Sequence, residues 1–193
     1  MSTLRFRPPT GWTEKGSEHE RYNRWTFGLF ELLHFLRGQG IQNATLLELG
    51  SYMGESTSIF SSSGLFSTVY AVDPWHGYEH FNELQNIDWD TVKREFKLNT
   101  RFYDFIVSVE AKSTEVVSMF DDNSIDVMYI DAEHTYEAVK RDIELYLPKI
   151  KDGGFITGHD YDSYIWPGVF KAVNDVFGAP NRTFSDTSWI VKK

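Results

Sequence analysis

Residue types that could do chemistry fall at four points of the sequence, each directly after an apolar run. These points are the glycine turn Gly50–Gly54, Asp73, the segment Asp131–His134, and the pair His159 and Asp160. Carboxylates bind hydroxyl groups and divalent cations, and imidazole exchanges protons near neutral pH. Because ligands of open α/β sheets bind at the carboxyl ends of the strands, the four points predict one shared site.

The glycine turn lies within Glu48–Ser56, between a predicted strand and a predicted helix. Such a turn brings backbone N–H groups and a helix N-terminus close to a polar ligand. A dinucleotide site would read G-x-G-x-x-G, whereas Tyr52 takes the place of the middle glycine. This difference disfavours a pyrophosphate across the turn and favours a smaller nucleoside that carries an amino acid.

The acids further along the chain suggest a ribose contact and a cation site. Asp73 ends the next strand, where an acid accepts both hydroxyls of a ribose, and an ordinary turn residue is the alternative. Asp131 and Asp160 end neighbouring strands, and two converging carboxylates repel unless a cation lies between them. Mg²⁺ is the expected ion, with a helix-capping role as the alternative for either acid.

Two histidines accompany these acids. His134 lies three residues after Asp131 and is a candidate general base, with an exposed helix-start histidine as the alternative. His159, beside Asp160, is a candidate metal ligand or a residue that orients the substrate.

The elements that must position these residues alternate along the chain. We predict strands over 45–49, 68–72, 103–109, 125–130, 155–157, 183–185 and 188–191, and helices over 20–37, 55–63, 89–99, 136–147 and 167–177. A short helix is predicted to end at Phe120, and Asp152–Gly154 is predicted to be a turn. The alternation predicts an α/β fold with a mostly parallel, seven-stranded sheet and helices on both faces.

Composition limits the possible functions. The net charge of −9 disfavours a non-specific nucleic-acid binder, which needs a basic face. The absence of cysteine excludes disulfides, cysteine zinc sites and thiol catalysis. With no apolar signal region or membrane-length run, we expect a cytoplasmic protein. A single domain is predicted over 1–193, with residues 1–40 as an arm and helix that could form a lid, and 41–193 as the core.

The Glu48–Ser56 segment resembles the first motif of class I S-adenosylmethionine-dependent methyltransferases. Its E-L-G-x-Y-x-G-x-S form is similar to that of the metal-dependent small-molecule O-methyltransferases of the catechol type. A second stretch, Tyr129–Glu137, resembles the branch that includes macrolide sugar O-methyltransferases. Further matches are Asp142, Asp152–Gly154, His159–Tyr161 and Gly168-Val169, so that the resemblance covers roughly residues 44 to 177.

The resemblance implies a Rossmann-like class I methyltransferase fold and a role for each matching residue. S-adenosylmethionine would be bound by Glu48, Gly50, Ser51, Tyr52, Gly54, Ser56, Asp73, Lys112, Ser113 and Asp131. His134 and Asp131 would be catalytic, with His134 as the base. Asp131, Asp160 and His159 would hold Mg²⁺, although His159 stands where the related branches have an acid.

The implied activity is methyl transfer to a hydroxyl group of a small molecule, either a sugar or an aryl compound. An NAD-dependent oxidoreductase and a non-catalytic S-adenosylmethionine-binding module are the alternatives. A nucleic-acid methyltransferase is disfavoured by the acidic composition and by the absence of an Asn/Asp-Pro-Pro-Tyr/Phe motif. Aromatic residues in 75–88 and 161–166 suit both acceptor classes.

Overall fold

The computed structural model describes residues 18–76 and 87–193, with side chains from residue 26 onward. The predicted arm before residue 18 and most of the aromatic loop 75–88 lie outside the described residues.

Five helices and seven strands alternate along the described residues. The helices are α1 (Glu18–Gly38), α2 (Glu55–Ser62), α3 (Trp89–Thr100), α4 (Tyr136–Tyr146) and α5 (Pro167–Phe177). The strands are β1 (Ala44–Leu49), β2 (Phe66–Asp73), β3 (Ile106–Glu110), β4 (Ile125–Ile130), β5 (Ile150–Gly158), β6 (Arg182–Thr183) and β7 (Trp189–Lys192). Short 3-10 turns cover Ser113–Glu115, Val117–Met119 and Leu147–Lys149.

The strands form one sheet in the order β3-β2-β1-β4-β5-β7-β6. Strands β1 to β5 are parallel, and β7 runs antiparallel to both β5 and β6. Leu49 pairs with Val72 on one side and with Ile130 on the other, so that β1, β2 and β4 end at the same level. The predicted mostly parallel, seven-stranded sheet is confirmed, and its carboxyl edge collects the predicted site residues.

Helices cover both faces of the sheet, as predicted. Leu47 and Leu49 pack into a core cluster with α4 and α5, whereas Leu46 packs into a cluster with α1 and α2. Neighbouring residues of a strand point to opposite faces, which explains why β1 is apolar at nearly every position. The exceptions are Thr45 and Glu48, and Glu48 is a fully buried acid.

Strand β5 differs from its prediction because the predicted turn lies inside it. Ile150 pairs with Ile125, and pairing resumes where Phe155 faces Val127. The four residues between form a bulge that includes Gly153 at φ +81°. Glycine and aspartate therefore marked an irregularity in the strand and not its boundary.

Three smaller boundaries also differ. Strand β3 begins at Ile106 because the Tyr103 N–H donates to the Thr100 carbonyl and closes a turn after α3. The predicted helix ending at Phe120 is instead two 3-10 turns. Strand β6 is shorter than predicted because the Phe184 N–H donates to the Ser188 carbonyl, which closes the hairpin turn.

Candidate active site

The glycine turn joins the end of β1 to α2 and touches the end of β4. Gly50 has φ +88°, and its N–H donates to the Val72 carbonyl at 2.9 Å. A Cβ on Gly50 would lie 2.0 Å from the Asp131 carbonyl oxygen, so only glycine fits there. Gly54, the N-cap of α2, also has a positive φ. The predicted cofactor turn therefore lies directly against a predicted catalytic residue.

Glu48 supports this turn from beneath. Its side chain is 0% exposed, and its carboxylate accepts hydrogen bonds from the hydroxyls of Ser51, Ser56 and Thr57. Burial raises the pKa of Glu48 to about 7, although the three hydroxyl hydrogen bonds oppose that rise. Two predicted cofactor residues, Ser51 and Ser56, thus bind a third, Glu48. The contact of these residues with a cofactor stays a prediction.

Asp73, at the end of β2, fastens the same turn from the side. Its Oδ2 accepts the Tyr52 N–H at 2.9 Å, and its Oδ1 accepts the Trp75 N–H at 2.7 Å. The Trp75 indole in turn donates to the Tyr52 carbonyl at 2.9 Å. Burial raises the pKa of Asp73, and the backbone hydrogen bonds oppose the rise. Tyr52 and Asp73 are brought together as predicted, and the ribose contact stays a prediction.

Lys112 and Ser113 lie beside a separate cavity of about 240 Å³ between the segments that follow β3 and β4. It is lined by Lys112, Ser113, Thr114, Ala132, Glu133, Arg141 and Asp142. The Ser113 hydroxyl donates to buried Asp142 at 2.8 Å, and burial raises the pKa of Asp142 to about 6. The adenine contact expected of Lys112 and Ser113 stays a prediction.

His134 lies between Asp131, which follows β4, and Asp160, which follows β5. Its Nε2 is 3.3 Å from Asp131 Oδ1 and 3.0 Å from Asp160 Oδ2. One potential ligand atom from each of the three residues lies within 4.8 Å of the others. Two carboxylate oxygens and an imidazole nitrogen form a donor set suited to a divalent cation.

The charges within this group compensate one another. Burial alone would lower the pKa of His134, but hydrogen bonds to Asp131 and Asp160 and their negative charges raise it to about 10. For Asp160, burial would raise the pKa, but His134 and His159 hold it well below its usual range. In this arrangement, the imidazole of His134 lies between the two converging carboxylates, and its raised pKa favours the positively charged form.

His159 lies on the far side of Asp160. Its Nδ1 is 3.0 Å from Asp160 Oδ1, and its Nε2 is 3.9 Å from Asp186 Oδ2. Burial would lower the pKa of His159, whereas the hydrogen bond to Asp160 and the charges of Asp131, Asp160 and Asp186 raise it to about 9. The group of potential metal ligands consists of Asp131, His134 and Asp160, whereas the sequence predicted His159 as the third ligand. The metal role of His159 stays a prediction.

Sequence reasoning missed Asp186, which lies in the turn between β6 and β7. An aspartate before a threonine in such a turn has no local feature that separates it from an exposed turn residue. Its proximity to His159 depends on the antiparallel pairing of β7 with β5, which places Trp189 opposite Gly158.

Trp166, the residue before α5, forms an aromatic wall beside His134. The Trp166 ring lies 4.3 Å from the His134 ring, at an interplanar angle of 43°. Tyr164 is 93% exposed and Ile165 is 64% exposed. The Trp166 ring beside the imidazole, and the exposed apolar surface that precedes it in the chain, suit contact with a ligand.

Within the described residues, no helix is both long enough and apolar enough to cross a membrane. In α1, Leu29, Leu32, Leu33 and Leu36 pack into the core cluster on that face of the sheet.

Residues 47–161 match the protein family described as "Methyltransferase domain". The match covers more than half of the chain and includes the glycine turn, Asp73 and the Asp131–His134 segment. Membership of this family decides against the alternative of an NAD-dependent oxidoreductase.

Two curated relatives have no described function. An uncharacterized protein of Sinorhizobium fredii (strain NBRC 101917 / NGR234) is 28% identical over 159 residues, which are 80% of this chain and 16% of the relative. An uncharacterized protein of Acanthamoeba polyphaga mimivirus is 28% identical over 159 residues, which are 78% of this chain and 69% of the relative. The chain thus spans only a small part of the length of the first relative.

Solved structures of methyltransferases share the fold. The O-methyltransferase NovP is 16% identical, with a TM-score of 0.64, over 87% of this chain and 78% of that chain. The calicheamicin methyltransferase CalS11 is 16% identical, with a TM-score of 0.60, over 93% of this chain and 94% of that chain. The chain therefore belongs to the methyltransferase-domain family and has the class I fold of S-adenosylmethionine-dependent methyltransferases.

Proposed function

We propose that this chain is an S-adenosylmethionine-dependent O-methyltransferase that acts on a hydroxyl group of a small molecule, with His134 as general base and Mg²⁺ as a helper ion. The observation that carries the proposal is the convergence of Asp131, His134 and Asp160 within 4.8 Å. Because Gly50 contacts the Asp131 backbone, this group lies next to the turn that the family uses for its cofactor.

The donor set fits a magnesium ion. Asp131 and Asp160 together offer two hard oxygen ligands at one edge of the sheet, and they approach each other across His134. We assign the ion to these two acids, whereas both ring nitrogens of His159 face carboxylates, those of Asp160 and Asp186. When bound, the ion would supply Lewis-acid polarisation that lowers the pKa of an acceptor hydroxyl.

His134 takes the proton of the acceptor hydroxyl in this proposal. A base must be neutral before it acts, and the pKa of His134 is raised chiefly by the two carboxylates that it contacts. Positive charge placed on those carboxylates by another cation therefore favours neutral His134. The Trp166 ring packs against the imidazole and limits its orientation.

The remaining residues position the two substrates. The methyl group of a sulfonium is already activated, so the gain comes from holding the acceptor oxygen in line with it. The glycine turn, Asp73 and the Lys112-Ser113 pair would hold the cofactor. Asp73 keeps a carboxylate with two backbone partners at the turn, which leaves further lone pairs for ribose hydroxyls.

The acceptor class follows from the wall beside His134. The Trp166 ring offers aromatic surface beside His134, which suits the face of a sugar or an aryl ring. One structure of CalS11, which shares the fold at a TM-score of 0.57, is described as a TDP-rhamnose 3'-O-methyltransferase. That description supports testing sugars first.

The proposal is tested by a methyl-transfer screen with the full chain. The chain is incubated with S-adenosylmethionine and panels of sugars and phenols, and S-adenosylhomocysteine and methylated products are measured by mass spectrometry. We expect transfer that EDTA inhibits and that added Mg²⁺ restores. Asp131→Asn should lose transfer, whereas Asp126→Asn, which alters an acid at the opposite edge of the sheet, should retain it.

The outcomes separate the alternatives. Full activity in the chelator would remove the metal from the mechanism. Binding of S-adenosylhomocysteine without transfer to any member of either panel would instead support the non-catalytic binding module.

A further inference from the structure

A second acid–imidazole pair, His159 and Asp186, lies behind Asp160. Each carboxylate and imidazole in this part of the molecule has a neighbour of opposite type, in the order Asp131, His134, Asp160, His159 and Asp186. The first three residues belong to the site described above. The last two extend the series toward α1 and the β6–β7 hairpin.

Asp186 is buried and held in a single place. Its side chain is 0% exposed, and it accepts the Ser188 N–H at 2.8 Å and the Ser188 hydroxyl at 3.0 Å. A buried carboxylate is costly unless polar or charged groups surround it. An exposed turn would provide solvation at no such cost, so the burial of Asp186 calls for a role.

Helix α1 covers this carboxylate. A Cβ on Gly28 would lie 2.0 Å from Asp186 Cγ, so the helix backbone rests directly on the acid. Glu31 of the same helix accepts the Ser185 N–H at 3.0 Å, which fixes the helix to the hairpin turn. The carboxylate of Asp186 is therefore confined between α1 and β7.

Asp160 needs such support. It has φ +60°, an uncommon backbone conformation for a residue other than glycine. Its Oδ1 is 3.0 Å from His159 Nδ1, which leaves Oδ2 for His134. The side chain of His159 thereby decides which carboxylate oxygen faces the site.

We propose that Asp186 and His159 are a positioning pair that fixes the orientation of the Asp160 carboxylate toward His134. Asp186 Oδ2 lies 3.9 Å from His159 Nε2, so that its negative charge attracts the imidazole while Nδ1 faces Asp160 at 3.0 Å. Neither residue touches the reacting atoms in this assignment. The proposal rests on the proposed function in one respect, that Asp160 acts at the site.

The test removes the negative charge of Asp186 while preserving the shape of the side chain. In Asp186→Asn, we expect the side-chain ¹⁵N–¹H signals of His159 to shift in an NMR spectrum of the full chain, with the signals assigned through His159→Gln. We expect kcat to fall about tenfold or more, the effect typical of residues that orient a metal-binding side chain through a hydrogen bond. The KM for S-adenosylmethionine should be unchanged. Asp126→Asn is the matched control, because Asp126 also accepts a backbone N–H and lies at the opposite edge.

A milder variant guards against a failure to fold. Ser188→Ala removes one hydrogen bond to Asp186 and should shift the His159 signals in the same direction by a smaller amount. Unchanged His159 signals in folded Asp186→Asn would overturn the pairing. Shifted signals with an unchanged kcat would overturn the positioning role. Because the NMR measurement needs no methyl acceptor, it reports on the pair even if the proposed methyl transfer fails.

Discussion

The half of the site that is predicted to bind the cofactor, called the cofactor half (Glu48–Ser56 and Asp73), and the acid–imidazole half (Asp131, His134, His159 and Asp160) bury carboxylates in opposite ways. In the cofactor half, Glu48 accepts from hydroxyls and Asp73 accepts from backbone N–H groups. In the other half, Asp160 faces two imidazoles.

The difference appears in the direction of the pKa shifts. Neutral donors do not offset burial, so the pKa values of Glu48 and Asp73 are raised. Imidazole partners more than offset it, so the pKa of Asp160 is lowered. Geometry therefore dominates the cofactor half and charge dominates the acid–imidazole half. Substitutions that change the shape of a residue should impair the cofactor half. Substitutions that remove an ionisable group should impair the acid–imidazole half.

The largest expected effect comes from removing the proton acceptor. His134→Ala should reduce kcat by roughly 10²–10⁴-fold, the range for loss of general acid–base catalysis, because no other group would take the hydroxyl proton. Cofactor affinity, measured by calorimetry with S-adenosylhomocysteine, should be nearly unchanged, since the turn is in the other half. His34→Ala on the exposed side of α1 is the control. Unimpaired turnover would end the base assignment.

A change of shape should break the cofactor half. Gly50→Ala should lower the free energy of unfolding by about 3 kcal/mol, from a positive φ and from a Cβ 2.0 Å from the Asp131 carbonyl. It should also weaken S-adenosylhomocysteine binding. Gly153→Ala is the matched control, because it has φ +81° with open space around it, and it should cost about 1 kcal/mol. Chemical denaturation measures the free energy of unfolding of both variants. Equal losses of stability would contradict the close approach of Gly50 to the Asp131 carbonyl.

The smallest expected effect is a pH dependence that originates at Glu48. Its pKa is about 7 in the folded chain, against an ordinary value of 4.5, so burial favours the protonated form. Its contribution to stability is fully present below pH 4.5 and is lost as the pH rises to 7. The full shift corresponds to about 3 kcal/mol, and we expect about 2 kcal/mol because an unfolded chain retains some structure.

Glu48→Gln removes this contribution. Its free energy of unfolding, relative to that of the unmodified chain, should therefore rise between pH 4.5 and pH 7 and stay level above. Thr57→Val keeps the carboxyl but removes one hydroxyl donor, so its pH dependence should extend above pH 7. A relative stability of Glu48→Gln that is flat with pH, or that falls, would contradict the assignment.

The cofactor half was predictable because its pattern is local. Glu48, Gly50, Tyr52 and Gly54 lie within a few residues of one another, and a strand, turn and helix of that length leave little choice of geometry. The parallel sheet also followed from the alternation of elements, which placed Asp73 and Asp131 at one edge.

The acid–imidazole half was predictable only in part. The convergence of Asp131 and Asp160 could be predicted because they end neighbouring strands. Which oxygen of Asp160 faces His134 and which faces His159 could not be predicted. That depends on the positive φ of Asp160 and on a hairpin that adds two strands beyond β5. Asp186 reaches the site through this long-range pairing, which no local spacing encodes.

The contact between Glu31 and Ser185 joins positions 154 residues apart, and it has a consequence for the order of assembly. Chains emerge from the ribosome N-terminus first, and distant pairings form after nearby ones because closing a long loop costs entropy. Strands β1 and β2 with their turn are therefore synthesised long before the hairpin that carries Asp186. By contrast, α1 shares its core cluster with Leu46 and Phe60, which are synthesised soon after it, so that only its contact with the hairpin forms late.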